Sequence, residues 1–102
     1  MELVIDPLAL KEIAEIANWY SDKSSTAVDN FQGEITETFT YLQHTIAEHR
    51  IVYAGIRVFF LKIFPYNVYY LKRETENKIF ILAIMHNKRS NNYIESRLKI
   101  KT

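Results

Sequence analysis

The sequence predicts an α+β fold in which an N-terminal helical hairpin packs on a small antiparallel β-sheet. Three observations predict it. From Val28 to Ile46 the apolar positions Val28, Phe31, Ile35, Phe39, Leu42 and Ile46 recur at steps of three and four, the spacing of one helix face. From Arg57 to Arg89 three apolar runs are separated by Pro65-Tyr66-Asn67 and by Glu74-Thr75-Glu76-Asn77, the pattern of a three-stranded meander. With 102 residues, 48% apolar and 25% charged, the chain has the size and composition of one domain with one core, spanning residues 1–102.

Taken in order, Leu3–Ile5 is a short apolar run, a strand or the lead-in to a helix. Asp6 offers an N-cap acceptor, and Pro7 suits the first helical position, where its missing N–H costs nothing. Leu10, Ile13, Ile16, Ala17 and Tyr20 then mark a helix over Pro7–Tyr20 with Lys11, Glu12 and Glu15 outside. Ser21-Asp22-Lys23 breaks it, and Ser24 or Ser25 caps the second helix. Gly33 inside that helix costs about 1 kcal/mol relative to Ala and points to a close approach by a neighbour. Two helices joined this tightly form an antiparallel hairpin.

The expected strands are Arg57–Phe64, Asn67–Arg73 and Ile79–Met85. Both side-chain parities in them are apolar or aromatic, so both sheet faces need cover. The hairpin covers one face; the chain's own C-terminal segment or a separate protein must cover the other. Ser90-Asn91-Asn92 reads as a turn into a short basic C-terminal helix over Tyr93–Lys99, anchored by Tyr93, Ile94 and Leu98, with the last residues frayed.

The net charge of +1 hides a segregation. Residues 1–50 carry nine acidic against three basic side chains, and residues 51–102 carry ten basic against three acidic. The helical half is acidic and the sheet half basic, which suits a polyanion or an acidic partner on one face.

Several function classes fall away. No basic n-region precedes Asp6 and Pro7, so the N-terminus is not a signal peptide, and the run Ile79–Met85 is too short to span a bilayer. Without cysteine there is no disulfide framework or thiolate site, which fits a reducing cytosol. Only two glycines are present, so a phosphate-cradling loop is absent, and no serine sits in a nucleophile elbow. His44 and His49 are five apart, off the register that puts two metal ligands on one helix face, so neither a metal nor another cofactor is expected. What remains is a cationic and aromatic set around the meander: Arg57, Tyr66, Tyr70, His86, Lys88, Arg89 and Tyr93. Arg and His together can stabilise a phosphorane-like transition state and move a proton, the needs of metal-free RNA cleavage. Arg57 opens the first strand and His86 ends the third, so unless the sheet is strongly twisted they lie at opposite ends of it and need not be neighbours. The structural alternatives are a polar strand end for His86 and a salt bridge from Arg57 to Glu34 or Glu37.

The run Arg57, Leu61, Phe64-Pro65-Tyr66, Val68, Tyr70, followed by Ile79, Ile81-Leu82-Ala83-Ile84, His86 and Arg89, resembles the RelE/ParE superfamily of bacterial toxins of type II toxin-antitoxin modules. It is most similar to the ParE-like branch. The resemblance covers the meander by motif and the helices only by architecture. It implies a cytoplasmic growth-inhibiting toxin with no membrane partner, in a hetero-oligomer with a cognate antitoxin whose C-terminal segment wraps over helices and sheet. On that footing Phe59, Leu61, Tyr69 and Tyr70 are expected to meet the antitoxin.

The superfamily divides into ParE-like toxins, which poison DNA gyrase, and RelE-like toxins, which cut mRNA on the ribosome. RelE-like proteins commonly carry an arginine where this sequence has Asn67, and they are more basic than +1. The expected function is therefore ParE-like binding and poisoning of DNA gyrase, with His86, Lys88, Arg89, Tyr93 and Arg97 contacting the target. The alternative is a ribosome-dependent, metal-free endoribonuclease using Arg57, His86 and Arg89 on mRNA. A third reading is a degenerate member that only binds its antitoxin and regulates their promoter.

Overall fold

The computed structural model describes residues 1–89 and 93–97. Strand β1 (Glu2–Ile5) leads into helix α1 (Pro7–Ser21), and helix α2 (Ser25–His44) returns antiparallel to it. Four further strands follow: β2 (Ile51–Tyr53), β3 (Ile56–Phe60), β4 (Tyr66–Arg73) and β5 (Lys78–His86). They form one sheet of order β1-β5-β4-β3-β2. The meander β3-β4-β5 is antiparallel as expected, and the sheet is wider by a strand on each side. On one edge β1 pairs parallel with β5, and on the other the short β2 pairs with β3.

The helix caps are those the residue types dictate. Asp6 Oδ1 accepts from the Leu8 N–H at 2.9 Å, and Ser24 Oγ accepts from the Ala27 N–H at 2.9 Å. On α2, Phe31, Ile35, Phe39 and Leu42 are buried as the period requires. Ile46 is not on that stripe: the helix ends at His44 and Ile46 is 98% exposed. On α1, Ile13, Ile16, Ala17 and Tyr20 pack on the core as spaced, but Leu10 is exposed and its neighbour Ala9 is buried in its place. Small residues face the sheet because α1 lies close against β5. Gly33 has open space around it, so no neighbour approaches there.

Both sheet faces are covered. The helix side holds the larger core, where Val68, Tyr70, Ile79 and Ile81 meet Phe31, Phe39 and Leu42. The opposite face holds Ile56, Val58, Tyr69, Ala83 and Met85 under Ile94, which is fully buried. Ile94 belongs to the helical residues 93–97, so the chain's own C-terminal segment supplies cover on that side. Leu98 and Lys99 of the expected helix, the turn 90–92 and the residues to 102 lie outside the described residues.

A bulge explains how β5 serves both cores. Tyr69 pairs with Ala83 and Tyr70 with Ile81, which leaves Leu82 as the extra residue. Side-chain parity reverses there. Ile79 and Ile81 point to the helices, whereas Ala83 and Met85 point to the opposite face.

Candidate functional site

The polar break after β5 forms a compact rim. His86 registers with Tyr66 on β4, and their rings meet edge to face at 5.4 Å between centroids. The Lys88 N–H donates to His86 Nδ1 at 3.1 Å, which places the proton of the neutral imidazole on Nε2. The Arg89 N–H donates to the His86 carbonyl at 3.0 Å, and the Asn87 N–H donates to the Pro65 carbonyl at 2.9 Å. These bonds fold the segment back over the Phe64-Pro65-Tyr66 corner. The Arg89 guanidinium lies over the Tyr93 ring, 4.3 Å from its centroid. A cleft of 220 Å³ opens beneath, with His86, Arg89 and Tyr93 on one wall and Glu12 and Glu15 of α1 on the other. Burial pushes the Tyr66 hydroxyl up to about 12, helped by its hydrogen bond with Tyr20, so it serves at neutral pH as a neutral donor.

Of the five residues expected to contact a target, His86, Lys88, Arg89 and Tyr93 are together at this rim, and Lys88, Arg89 and Tyr93 are exposed. Arg97 is placed differently. One of its nitrogens donates to Glu12 at 2.6 Å and another to the Leu82 carbonyl at 3.1 Å, and its side chain is only 12% exposed. Glu12, expected on the solvent face of α1, also accepts from the Ile84 N–H at 3.0 Å. Together they clamp α1, the β5 bulge and the C-terminal segment, leaving Arg97 little surface.

Arg57 is not brought to this rim. It registers with Tyr70, four positions along β4 from the Tyr66–His86 pair, a separation of about 13 Å at strand rise. Its guanidinium donates to the His49 carbonyl rather than to Glu34 or Glu37. Glu34 is occupied elsewhere: its carboxylate accepts from the Lys62, Ile63 and Phe64 N–H groups at 2.8, 3.1 and 3.1 Å. This carboxylate shapes the β3–β4 corner, a structural role toward main-chain donors rather than the expected one toward Arg57. The available signal was its position three residues after Phe31, inside the apolar stripe.

The four residues assigned to an antitoxin separate by burial. Leu61, Tyr69 and Tyr70 are 8%, 0% and 0% exposed, inside the chain's own cores, and so offer a partner no surface here. Phe59 alone is partly open, packed against Tyr41 and His49 at 5.5 and 5.2 Å between centroids. His49 itself is held below its ordinary pKa by burial first, then by the Lys72 and Arg57 charges. Among the described residues no three His, Cys, Asp or Glu side chains group as a metal site, and no helix is long and apolar enough to cross a membrane.

Two solved structures share this architecture. The chromosomal ParDE TA system from P. aeruginosa contains a chain that matches 84% of this one and 95% of its own length, with TM-score 0.72 and 22% identity. The isolated E. coli RelE toxin matches over 97% of each chain with TM-score 0.58 and 20% identity. At such identities the likeness is one of fold. No curated protein sequence matches the chain. The family model of the ParE toxin of the type II toxin-antitoxin system, parDE, matches residues 3–91, which takes in the helical hairpin, all five strands and the His86–Arg89 rim. The chain belongs to the ParE toxin family of type II toxin-antitoxin systems.

Proposed function

We propose that this chain inhibits bacterial growth by binding DNA gyrase through the His86, Lys88, Arg89 and Tyr93 rim, and that a cognate antitoxin encoded beside it neutralises it in the cytoplasm. The observation that carries the binding reading over an enzymatic one is the placement of Arg57. The endoribonuclease alternative requires Arg57, His86 and Arg89 to converge on one phosphate. Arg57 is about 13 Å along the strand from the His86 row and is engaged with the His49 carbonyl. Asn67, which stands where RelE-like proteins carry an arginine, is only 4% exposed and adds no cation. The rim, by contrast, presents exposed cations beside an aromatic ring, a combination suited to contact with another macromolecule.

The reading is tested by titrating the purified protein into a gyrase supercoiling reaction, with and without the product of the adjacent reading frame. Supercoiling should fall as the toxin is added and recover when the antitoxin is present. An unchanged gyrase, with mRNA cut at the ribosomal A site in a translating extract, would establish the endoribonuclease instead.

A further inference from the structure

Away from the His86 rim, a cleft of 520 Å³ opens between the segment after α2 and the helix-side face of β3 and β4. Arg57, Tyr70 and Lys72 line it. Arg57 and Tyr70 are cross-strand partners, and Lys72 lies two residues beyond Tyr70 on the same face. The three side chains therefore converge beneath residues 45–50. Lys72 Nζ donates to the Thr45 carbonyl at 2.8 Å and Arg57 donates to the His49 carbonyl, both neutral acceptors. Neither cation forms an ion pair with a carboxylate among the described residues. A guanidinium has five donor hydrogens and an ammonium three, so most of their capacity is unspent. The Tyr70 hydroxyl is buried beneath them and has no hydrogen-bond partner among the described residues. The depressed pKa of His49, caused in part by Lys72 and Arg57, agrees with an excess of positive potential there.

We propose that this cleft receives a carboxylate side chain from an acidic, apolar-flanked peptide segment of the antitoxin. The proposal rests on the toxin-antitoxin reading above. Two features of the rim favour a peptide over a nucleic-acid strand. Glu48 and Glu74 stand exposed at the mouth and repel a continuous phosphate track, while a single carboxylate can pass between them. Ile46, 98% exposed, and the half-buried Leu71 offer apolar contact beside the cations. A carboxylate between Arg57 and Lys72 would take charge-assisted bonds from both.

The test is calorimetry of the antitoxin encoded beside the toxin gene against wild-type, Arg57→Gln, Lys72→Gln and Lys72→Arg toxins, each first shown to be folded by its thermal transition. The expected result is an affinity loss of about tenfold or more for each Gln variant, a weaker salt dependence, and recovery in Lys72→Arg. Because Arg57 also braces residues 45–50, Lys72→Gln keeps the test decisive should Arg57→Gln fail to fold. Antitoxin binding at wild-type affinity by Lys72→Gln would overturn the cleft assignment alone. A short 5′-phosphorylated single-stranded DNA bound by wild type, lost in Lys72→Gln while antitoxin affinity is kept, would overturn it in favour of nucleic acid. No antitoxin binding by wild type would instead remove the partner reading itself, and gyrase inhibition is scored in a separate assay.

Discussion

Glu34 shows how one side chain can decide local structure. Its carboxylate takes three N–H groups of the β3–β4 corner, a turn that has no other main-chain ladder to satisfy those donors. Replacing it with Ala leaves them without a charged acceptor, and urea melts of Glu34→Ala should show a loss of about 1.5–3 kcal/mol. Gly33, one position away, faces open space in mid-helix, so Gly33→Ala should raise stability by up to about 1 kcal/mol in the same measurement. His49 gives a pH signature. Its folded pKa lies below the unfolded value of 6.5, so the unfolded chain binds the proton first as pH falls. Stability should therefore be complete above that value and decline through and below it. In melts from pH 7.5 to 5, His49→Gln should remove part of this acid sensitivity.

Among the elements, the C-terminal segment is the one whose attachment is easiest to separate from function. Ile94 seals the second face of the sheet and Arg97 ties the segment to Glu12 and the β5 bulge. Arg97→Ala should cost about 2–3 kcal/mol, less than a fully buried pair because solvent reaches both partners. Arg89→Ala, at an exposed position over Tyr93, should leave the melting curve nearly unchanged. A finding that Arg97→Ala melts like wild type would remove the clamp. Much at this scale was legible in the sequence: Asp6, Pro7 and Ser24 set the helix starts, and the α2 stripe from Phe31 to Leu42 is buried as spaced. Other features left no local trace. The β5 bulge is silent because Ile79–Met85 is apolar throughout, so a parity reversal changes nothing in the pattern. Strand β1 showed only as the apolar run Leu3–Ile5, open to two readings because its parallel partner β5 lies more than seventy residues away, and β2, three residues long, left no trace. Leu10 looked like a core residue because hydrophobicity was read without size; the close helix–sheet approach selects Ala9 instead. Arg97 looked like a target contact because its partner Glu12 lies 85 residues earlier.

For the whole molecule, the segregation of charge along the chain acquires a spatial meaning. Four cations of the second half stand at two separate places: Lys88 and Arg89 on an exposed rim, and Arg57 and Lys72 lining a cleft under the end of α2. The meander's order, read from sequence, already allowed Arg57 to lie apart from His86, and the register makes that separation definite. On the reading proposed above, the rim and the cleft meet two different macromolecules, and the set Arg57, His86 and Arg89 does not converge.

The most direct measurement is a gyrase cleavage assay on supercoiled plasmid with wild-type protein and Arg89→Ala side by side. Wild type should accumulate trapped cleavage complexes, seen as linear DNA after detergent and protease. The fully folded Arg89→Ala should need about tenfold more protein for the same effect, as expected for loss of a contact at the centre of an interface. Gyrase unaffected by wild type, together with A-site cuts in mRNA that both Arg57→Ala and His86→Ala abolish, would contradict it.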